Sequence, residues 1–311
     1  MDYARPSQVD DAVRLLAEGP GWSRLIAGGT DLLVQKPVEV RRLVDTGGLG
    51  LINLTEHDGR LRIESGMTVS DIESALLIRD HPCWRLLAEA AASLGTPGVR
   101  NRATIGGNLC NGSPAADLAV AALALDGRAE IAGGAGVREV GLDDFFIGVN
   151  HTAVKEDEVL VAVDMPGWGA ASRSMGTGTA AVGADVGTSG VPGGSGATGV
   201  AGAFLKLRRH QSSVDIATVN TAAVVRMREG VIAEARVAVG AVAEIPFVSR
   251  GAAAALAGRE PSDEAFRAAG AAAAAEARPI SDIRASAEYR REMIAVLVRR
   301  VLEEAVRRCG A

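Results

Sequence analysis

The sequence predicts an α+β fold in two parts, on three observations. Short strand-like runs and short helices interleave up to about residue 166, a Gly-rich stretch poor in large apolar residues follows, and a hairpin succeeded by helices fills the rest. At 311 residues the chain exceeds the usual single domain, and with 48% hydrophobic residues it can bury a sizeable core. The expected parts are 1–166, a flexible linker over 167–202, and an α+β unit over 203–311.

The first element is a helix from Ser7 to Ala17, with Ser7 as N-cap and Val9, Ala12, Val13, Leu15 and Leu16 on one face. Gly19-Pro20-Gly21 ends it. Arg24 to Ala27 then reads as a short strand running onto Gly28-Gly29, with a tight turn and a helical turn at Thr30 to Leu33. From Arg42 to Met67, two or three short strands alternate with turns at Gly47-Gly48 and Asp58-Gly59. Ser70 is expected to cap a helix through Ala75, and a second helix spans Leu86 to Leu94. Thr96-Pro97-Gly98 turns the chain before a second Gly-rich site at Gly106-Gly107.

Asp117 to Leu125 is nearly all Ala, Leu and Val, a buried helix ended by Gly127; Glu158 to Val163 is a strand closed by Pro166. Over 167–202, Gly, Ala, Ser and Thr leave too little apolar surface to offset the entropy of ordering. Phe204 begins the second region, in which TVNTAAVVRM and VIAEARVAVGAV flank Glu229-Gly230 as a β-hairpin. Helices follow over Ala252 to Leu256, Asp263 to Ala277 and Ala287 to Arg308, the last with Met293, Val296, Leu297, Val301 and Leu302 inward.

Several function classes drop out. A net charge of −5 and the lack of a basic stripe interleaved with aromatics argue against nucleic acid as a partner. No run approaches a membrane span, and MDYARPSQVDDAVRLL has neither a basic n-region nor an apolar h-region, so a cytoplasmic protein is expected. Cys83, Cys110 and Cys309 form no C-x-x-C. His57, His81, His151 and His210 are equally scattered, so no metal ligand is assigned.

The chemistry concentrates at the two Gly-Gly sites. Without Cβ atoms, the backbone at Gly28-Gly29 and Gly106-Gly107 can approach an anion such as a pyrophosphate; two tight turns in a plain scaffold would look the same. The flanking residues favour a ligand: Thr30 and Thr104 bring hydroxyls, Asn108 and Asn111 bring donors and acceptors, and Asp117 brings a carboxylate. Such a set suits a phosphorylated, polyhydroxylated molecule. Asp31 would repel a phosphate directly, so its side chain is expected to cap the following turn or meet a hydroxyl or amide. Gly176 to Ala181 matches G-x-G-x-x-A but lacks the preceding strand and following helix of a dinucleotide fold, and no P-loop is present.

The segments LIAGGTDLL (25–33) and RNRATIGGNLCNGSPAADL (100–118) resemble the two FAD-binding loops of the flavin subunits of molybdenum hydroxylases, the xanthine dehydrogenase, carbon monoxide dehydrogenase and aldehyde oxidoreductase family. The likeness continues through DDFFIG (143–148), EDEVLVAVDMP (156–166), FLKLRRHQSSVDIATVN (204–220) and SAEYRREMIAVLVRR (286–300), covering nearly the whole chain. The resemblance implies a two-subdomain FAD-binding domain of the vanillyl-alcohol oxidase (PCMH) type, split near residue 55, followed by the small sheet with helices. It also implies site roles. Ala27, Gly28, Gly29, Thr30, Asp31 and Leu32, with Thr104, Gly106, Gly107 and Asn108, would wrap the FAD pyrophosphate and ribityl chain; Asn111, Ala116 and Asp117 would complete those contacts. Leu160 would press on the isoalloxazine, and Lys206 would approach its polar edge. Tyr289-Arg290-Arg291 would serve packing or subunit contact, and Cys110 is expected to be a buried small residue.

In the division of labour the resemblance implies, a large subunit holds the molybdenum cofactor, a small iron–sulfur subunit relays electrons, and this chain passes them through FAD to NAD or another acceptor. No catalytic acid or base is then required here. The alternatives are a standalone FAD-dependent oxidase or reductase of the same fold, or a non-catalytic interaction subunit. The chain departs from the family pattern in the length of its Gly-rich stretch, 167–202.

Overall fold

The computed structural model describes residues 1–35, 37–168, 198–209 and 216–310. Most of the Gly-rich stretch, the Gly176 to Ala181 motif and His210 lie outside the described residues.

Three N-terminal strands, β1 (Asp2–Ala4), β2 (Ser23–Ile26) and β3 (Arg42–Asp45), pair in parallel in the order β1-β3-β2. β1 is a strand the sequence does not announce, because three residues are too few to show a period of two. Helix α1 (Val9–Ala17) buries Ala12, Val13 and Leu16, whose spacing puts them on one face, in a cluster with Val44 and Val159. Ser7 does not cap it: Gln8 holds the N-cap position without a side-chain bond, and Asp10 and Asp11 in the first turn supply the favourable charge. The single turn α2 (Leu32–Gln35) follows Gly28-Gly29.

The next strands are β4 (Leu54–His57), β5 (Arg60–Glu64), β6 (Arg128–Gly133), β7 (Gly136–Gly141), β8 (Phe146–Gly148), β9 (His151–Thr152) and β10 (Val159–Pro166). Five of them form an antiparallel sheet in the order β4-β5-β10-β6-β7, while β8 and β9 make a separate hairpin. Asp58 and Gly59 join β4 to β5 with φ of 51° and 69°, the left-handed pair a two-residue hairpin demands. Between β5 and β6 run α3 (Val69–Ser74), α4 (Leu76–Arg79), α5 (Arg85–Ser93), α6 (Pro97–Arg100), α7 (Ile105–Cys110) and α8 (Asp117–Ala124); the turn α9 (Leu142–Phe145) follows β7. Two local expectations are corrected here. Thr68, not Ser70, caps α3, its hydroxyl accepting from the Asp71 N–H at 3.1 Å. Thr96-Pro97-Gly98 does not merely turn the chain: Thr96 caps α6 and Pro97 takes its first position, where a missing N–H does no harm. Every residue of α8 is buried.

The last region pairs β11 (Gly199–Leu207), β12 (Val219–Arg228), β13 (Val231–Gly240) and β14 (Phe247–Val248) antiparallel in chain order. β11 therefore starts five residues before the expected Phe204. Helices α10 (Arg250–Leu256), α11 (Asp263–Glu276) and α12 (Ala287–Cys309) follow. Both faces of this sheet are covered. Phe204, Ala222, Val224 and Ala238 join the core of the preceding elements, where α5 and α8 pack; Ala223, Val225, Met227, Val237 and Val239 join the core of α10, α11 and α12. Each Phe, Val or Met side chain so buried stabilises by about 1.5–3 kcal/mol. Arg290 in α12 is buried too, donating to the carbonyls of Thr218 and Ala241 and to Asp282.

Candidate FAD site

A cleft of 420 Å³ opens where the loop after β2 meets the start of α7, within the size range of ligand sites. It brings together twelve of the residues singled out from sequence: Ala27, Gly28, Gly29, Thr30, Asp31 and Leu32 from the first loop, Thr104, Gly106, Gly107, Asn108 and Asn111 from the second, and Leu160 from β10. Ala116, Asp117 and Lys206 are not among its lining residues.

The first loop supplies backbone donors. No acceptor among the described residues takes the N–H groups of Gly28, Gly29, Thr30, Asp31 or Leu32, a run of five consecutive donors at the cleft wall. Gly28, Gly29, Thr30 and Leu32 are half-buried and Asp31 is exposed, so this run is open to acceptor-rich groups such as phosphate oxygens. Gly29 has φ +68°, and Gly28 is needed for a different reason: a Cβ there would lie 1.9 Å from the Arg102 carbonyl oxygen. The two loops thus touch backbone to backbone. Asp31 turns its carboxylate away into a 2.8 Å hydrogen bond from Gln35, along α2.

The second loop works differently from the expectation that both Gly pairs offer free N–H groups. The Gly106 N–H donates to the Ser65 carbonyl, the Gly107 N–H to the Thr104 hydroxyl at 3.0 Å, and the Asn108 N–H to the Thr104 carbonyl. Gly106 is glycine because a Cβ would meet Ser65 at 2.7 Å. What this loop presents is a close-packed backbone face and the side chain of Asn108, whose Oδ1 is buried without a partner. An unsatisfied buried acceptor costs about 1–3 kcal/mol, and a hydroxyl or N–H of a ligand would relieve it.

β10 closes the back of the cleft through Leu160, which is 3% exposed. The β5–β10 pairing, with Ala162 opposite Glu64, continues one step beyond β5, where the Val161 carbonyl accepts from the Ser65 N–H at 2.8 Å. Ser65 in turn accepts from Gly106, so main-chain bonds tie strand, turn and second loop together.

Asp117 and Lys206 are placed against each other, not against the cleft: Nζ lies 2.6 Å from Oδ2, with side chains 4% and 5% exposed. The Asp117 Oδ1 accepts from Asn220 Nδ2 at 2.7 Å. Burial pushes the Asp117 carboxyl above its usual range, and Lys206 and Asn220 pull against that shift. Cys110 lines the cleft, and burial raises its thiol to about 12, leaving it un-ionised at neutral pH. Sequence reasoning missed Ser65, Thr46 and Asn150 in the wall. Asn150, with φ 58°, carried a signal, since Asn outside glycine is the common left-handed residue; Ser65 and Thr46 carried none.

Residues 1–168 match the FAD binding domain in molybdopterin dehydrogenase, and residues 202–305 match the CO dehydrogenase flavoprotein C-terminal domain. The chain is an FAD-binding subunit of the molybdenum hydroxylase family. This flavin subunit is 30% identical to the xanthine dehydrogenase FAD-binding subunit of Escherichia coli O157:H7 over 318 residues, 99% of this chain and 97% of that one. It is also 30% identical to the carbon monoxide dehydrogenase medium chain of Hydrogenophaga pseudoflava, over 99% of this chain and 98% of the relative. The solved carbon monoxide dehydrogenase from that organism, lacking the Mo-pyranopterin moiety of its molybdenum cofactor, superposes with a TM-score of 0.86 at 30% identity, covering 99% of this chain and 98% of its own. FAD is the cofactor, and the chain is an oxidoreductase component. The cleft's chemistry fits that group: a run of free donors for a pyrophosphate, a glycine where any Cβ would intrude, and an orphaned acceptor on Asn108.

Proposed function

We propose that this chain relays electrons inside a multi-subunit molybdenum hydroxylase, receiving them from an iron–sulfur subunit whose own donor is a molybdenum subunit, and delivering them to NAD or another acceptor. The observation that carries this reading is the donor run Gly28 to Leu32 packed directly on the second loop. Ala27 to Leu32 hold the pyrophosphate through main-chain N–H groups. Thr104, Gly106, Gly107, Asn108 and Asn111 hold the ribityl side, and Leu160 packs on the ring system. FAD supplies the redox chemistry, exchanging electrons singly or in pairs.

The lining supports a relay over a standalone oxidase. Its ionisable side chains among the described residues are Arg24, Asp31 and Cys110; Asp31 is engaged by Gln35, and the Cys110 thiol sits at about 12. Arg24 and Cys110 are not suited to take a proton from an organic substrate, and Asp31 directs its carboxylate along α2 to Gln35. We also read residues 1–166 as a vanillyl-alcohol oxidase type domain divided near residue 55, supported by the change from a parallel to an antiparallel sheet there. Three free cysteines fit a reducing cytoplasm. Among the described residues no helix is long and apolar enough to cross a membrane.

The test is the visible spectrum of the purified chain, followed by mixing with reduced iron–sulfur and molybdenum subunits. A bound flavin that bleaches only when those partners deliver electrons supports the relay. A colourless chain that refuses added FAD, or one whose flavin an organic substrate reduces without partners, refutes it.

A further inference from the structure

The cleft's second loop is gripped from behind by the C-terminal sheet. Asn220, on β12 and fully buried, donates through Nδ2 both to the Ala115 carbonyl at 3.3 Å and to Asp117 Oδ1 at 2.7 Å. The Ala241 N–H, just past β13, donates to the Pro114 carbonyl at 2.7 Å. Lys206 on β11 holds the other oxygen of Asp117 and also reaches the Ser93 carbonyl at 3.2 Å, where Arg208 donates as well at 2.9 Å. The approach is close enough that a Cβ on Gly240 would lie 2.4 Å from Asn220 Oδ1 and 3.0 Å from the Pro114 oxygen.

These contacts fall on residues 114–117 and on the end of α5. Both segments lead straight into the cleft wall, at Asn111 and at Leu94. Pro114 and Ala115 of an irregular segment, and Asp117 at the start of α8, are therefore fixed by a sheet whose strands lie about a hundred positions further along the chain. An irregular segment with its own carbonyls unpaired would sample many conformations, and fixing it in advance removes that entropy from the binding step.

We propose that Asn220 is a positioning residue for FAD: through Ala115 and Asp117 it sets the second loop, and so tunes cofactor affinity from behind the loop. The proposal rests on the FAD reading of the cleft, and it deepens that reading by assigning the region after residue 198 a part in cofactor binding.

The experiment compares Asn220→Ala with Val301→Ala in the full chain. Val301 is fully buried in the α12 core, away from the cleft, so its truncation lowers Tm through packing alone. Well below both melting points, FAD titration should give a Kd raised about tenfold or more for Asn220→Ala and within about twofold of wild type for Val301→Ala. Amide exchange over 111–117 should accelerate in the first variant and not in the second. Asn220→Ser keeps a hydroxyl donor but cannot span both acceptors; it should fall between, and it serves if the alanine variant does not fold. Equal FAD affinities in Asn220→Ala and Val301→Ala, or unchanged exchange over 111–117, overturn the proposal. A wild-type chain that takes no FAD defeats the cofactor reading instead, and the exchange comparison still decides whether Asn220 orders the loop.

Discussion

Gly28→Ala puts one methyl group at the place where the two loops touch. Its Cβ would stand 1.9 Å from the Arg102 carbonyl oxygen, 2.5 Å from the Arg102 carbonyl carbon and 2.9 Å from the Ala103 Cα, all backbone atoms with no rotamer to yield. To reach the 3.4 Å at which ordinary contact begins, the loops must part by about 1.5 Å. Forcing an extra carbon into a packed site costs about 1–3 kcal/mol. If that strain is expressed as loss of the bound geometry, the FAD Kd rises about 5- to 150-fold, at about 1.4 kcal/mol per factor of ten. Titration of flavin-free protein, followed by flavin fluorescence, measures it. Gly134→Ala is the control, since nothing lies within 4 Å of its Cβ position and its φ is ordinary. An FAD affinity for Gly28→Ala equal to that of the control would refute the account of the cleft as two backbones in contact.

Thr104→Ala removes the hydroxyl that accepts from the Gly107 N–H, so urea unfolding should show about 0.5–2 kcal/mol less stability, with Thr104→Ser close to wild type. Lys206→Met strands Asp117 in a buried site and should destabilise by about 3–5 kcal/mol, while the double variant Asp117→Leu, Lys206→Met should recover most of that. Since burial raises the Asp117 carboxyl, the Lys206→Met deficit should deepen as pH rises past the usual carboxylate range and shrink in acid, visible in Tm against pH. Asp282 runs the opposite way. Burial alone would raise its carboxyl, but hydrogen bonds from the Arg284 N–H, the Arg290 guanidinium and the Ala285 N–H hold it well below the usual range. Its stabilisation is present above the ordinary Asp value of about 4 and is lost as pH falls below it; Asp282→Asn should flatten the acid limb of Tm against pH.

Where the information was local, the sequence carried it. The Glu229-Gly230 hairpin is one case: both residues adopt positive φ, at 50° and 81°, as a two-residue turn between twisted strands requires. The wholly apolar α8 and the amphipathic α1 are others, because a period of 3.6 residues or an unbroken apolar run shows in the order of side chains itself. The short strands β1 and β7, which show no clear alternation, are set by the neighbours that pair with them. Helix caps at Gln8 and Thr68 fell one or two residues from the nearest Ser, since a cap is chosen by where the chain enters the helix as much as by residue type.

The Gly-Gly pairs and their polar neighbours marked the cleft in the chain itself, because glycine is retained where backbone must approach closely and Thr and Asn where a polar ligand must be met. Folding alone decided what each residue does there. The five open N–H groups belong to the first loop, whereas those of the second are consumed by Ser65 and Thr104, and hydrogen-bond partners are set by the path of the backbone rather than by residue type. The same holds for Asp117, which meets Lys206 and Asn220 across 89 and 103 positions of sequence. Pairings of that span depend on how one sheet and a helix pack, a geometry no local pattern encodes.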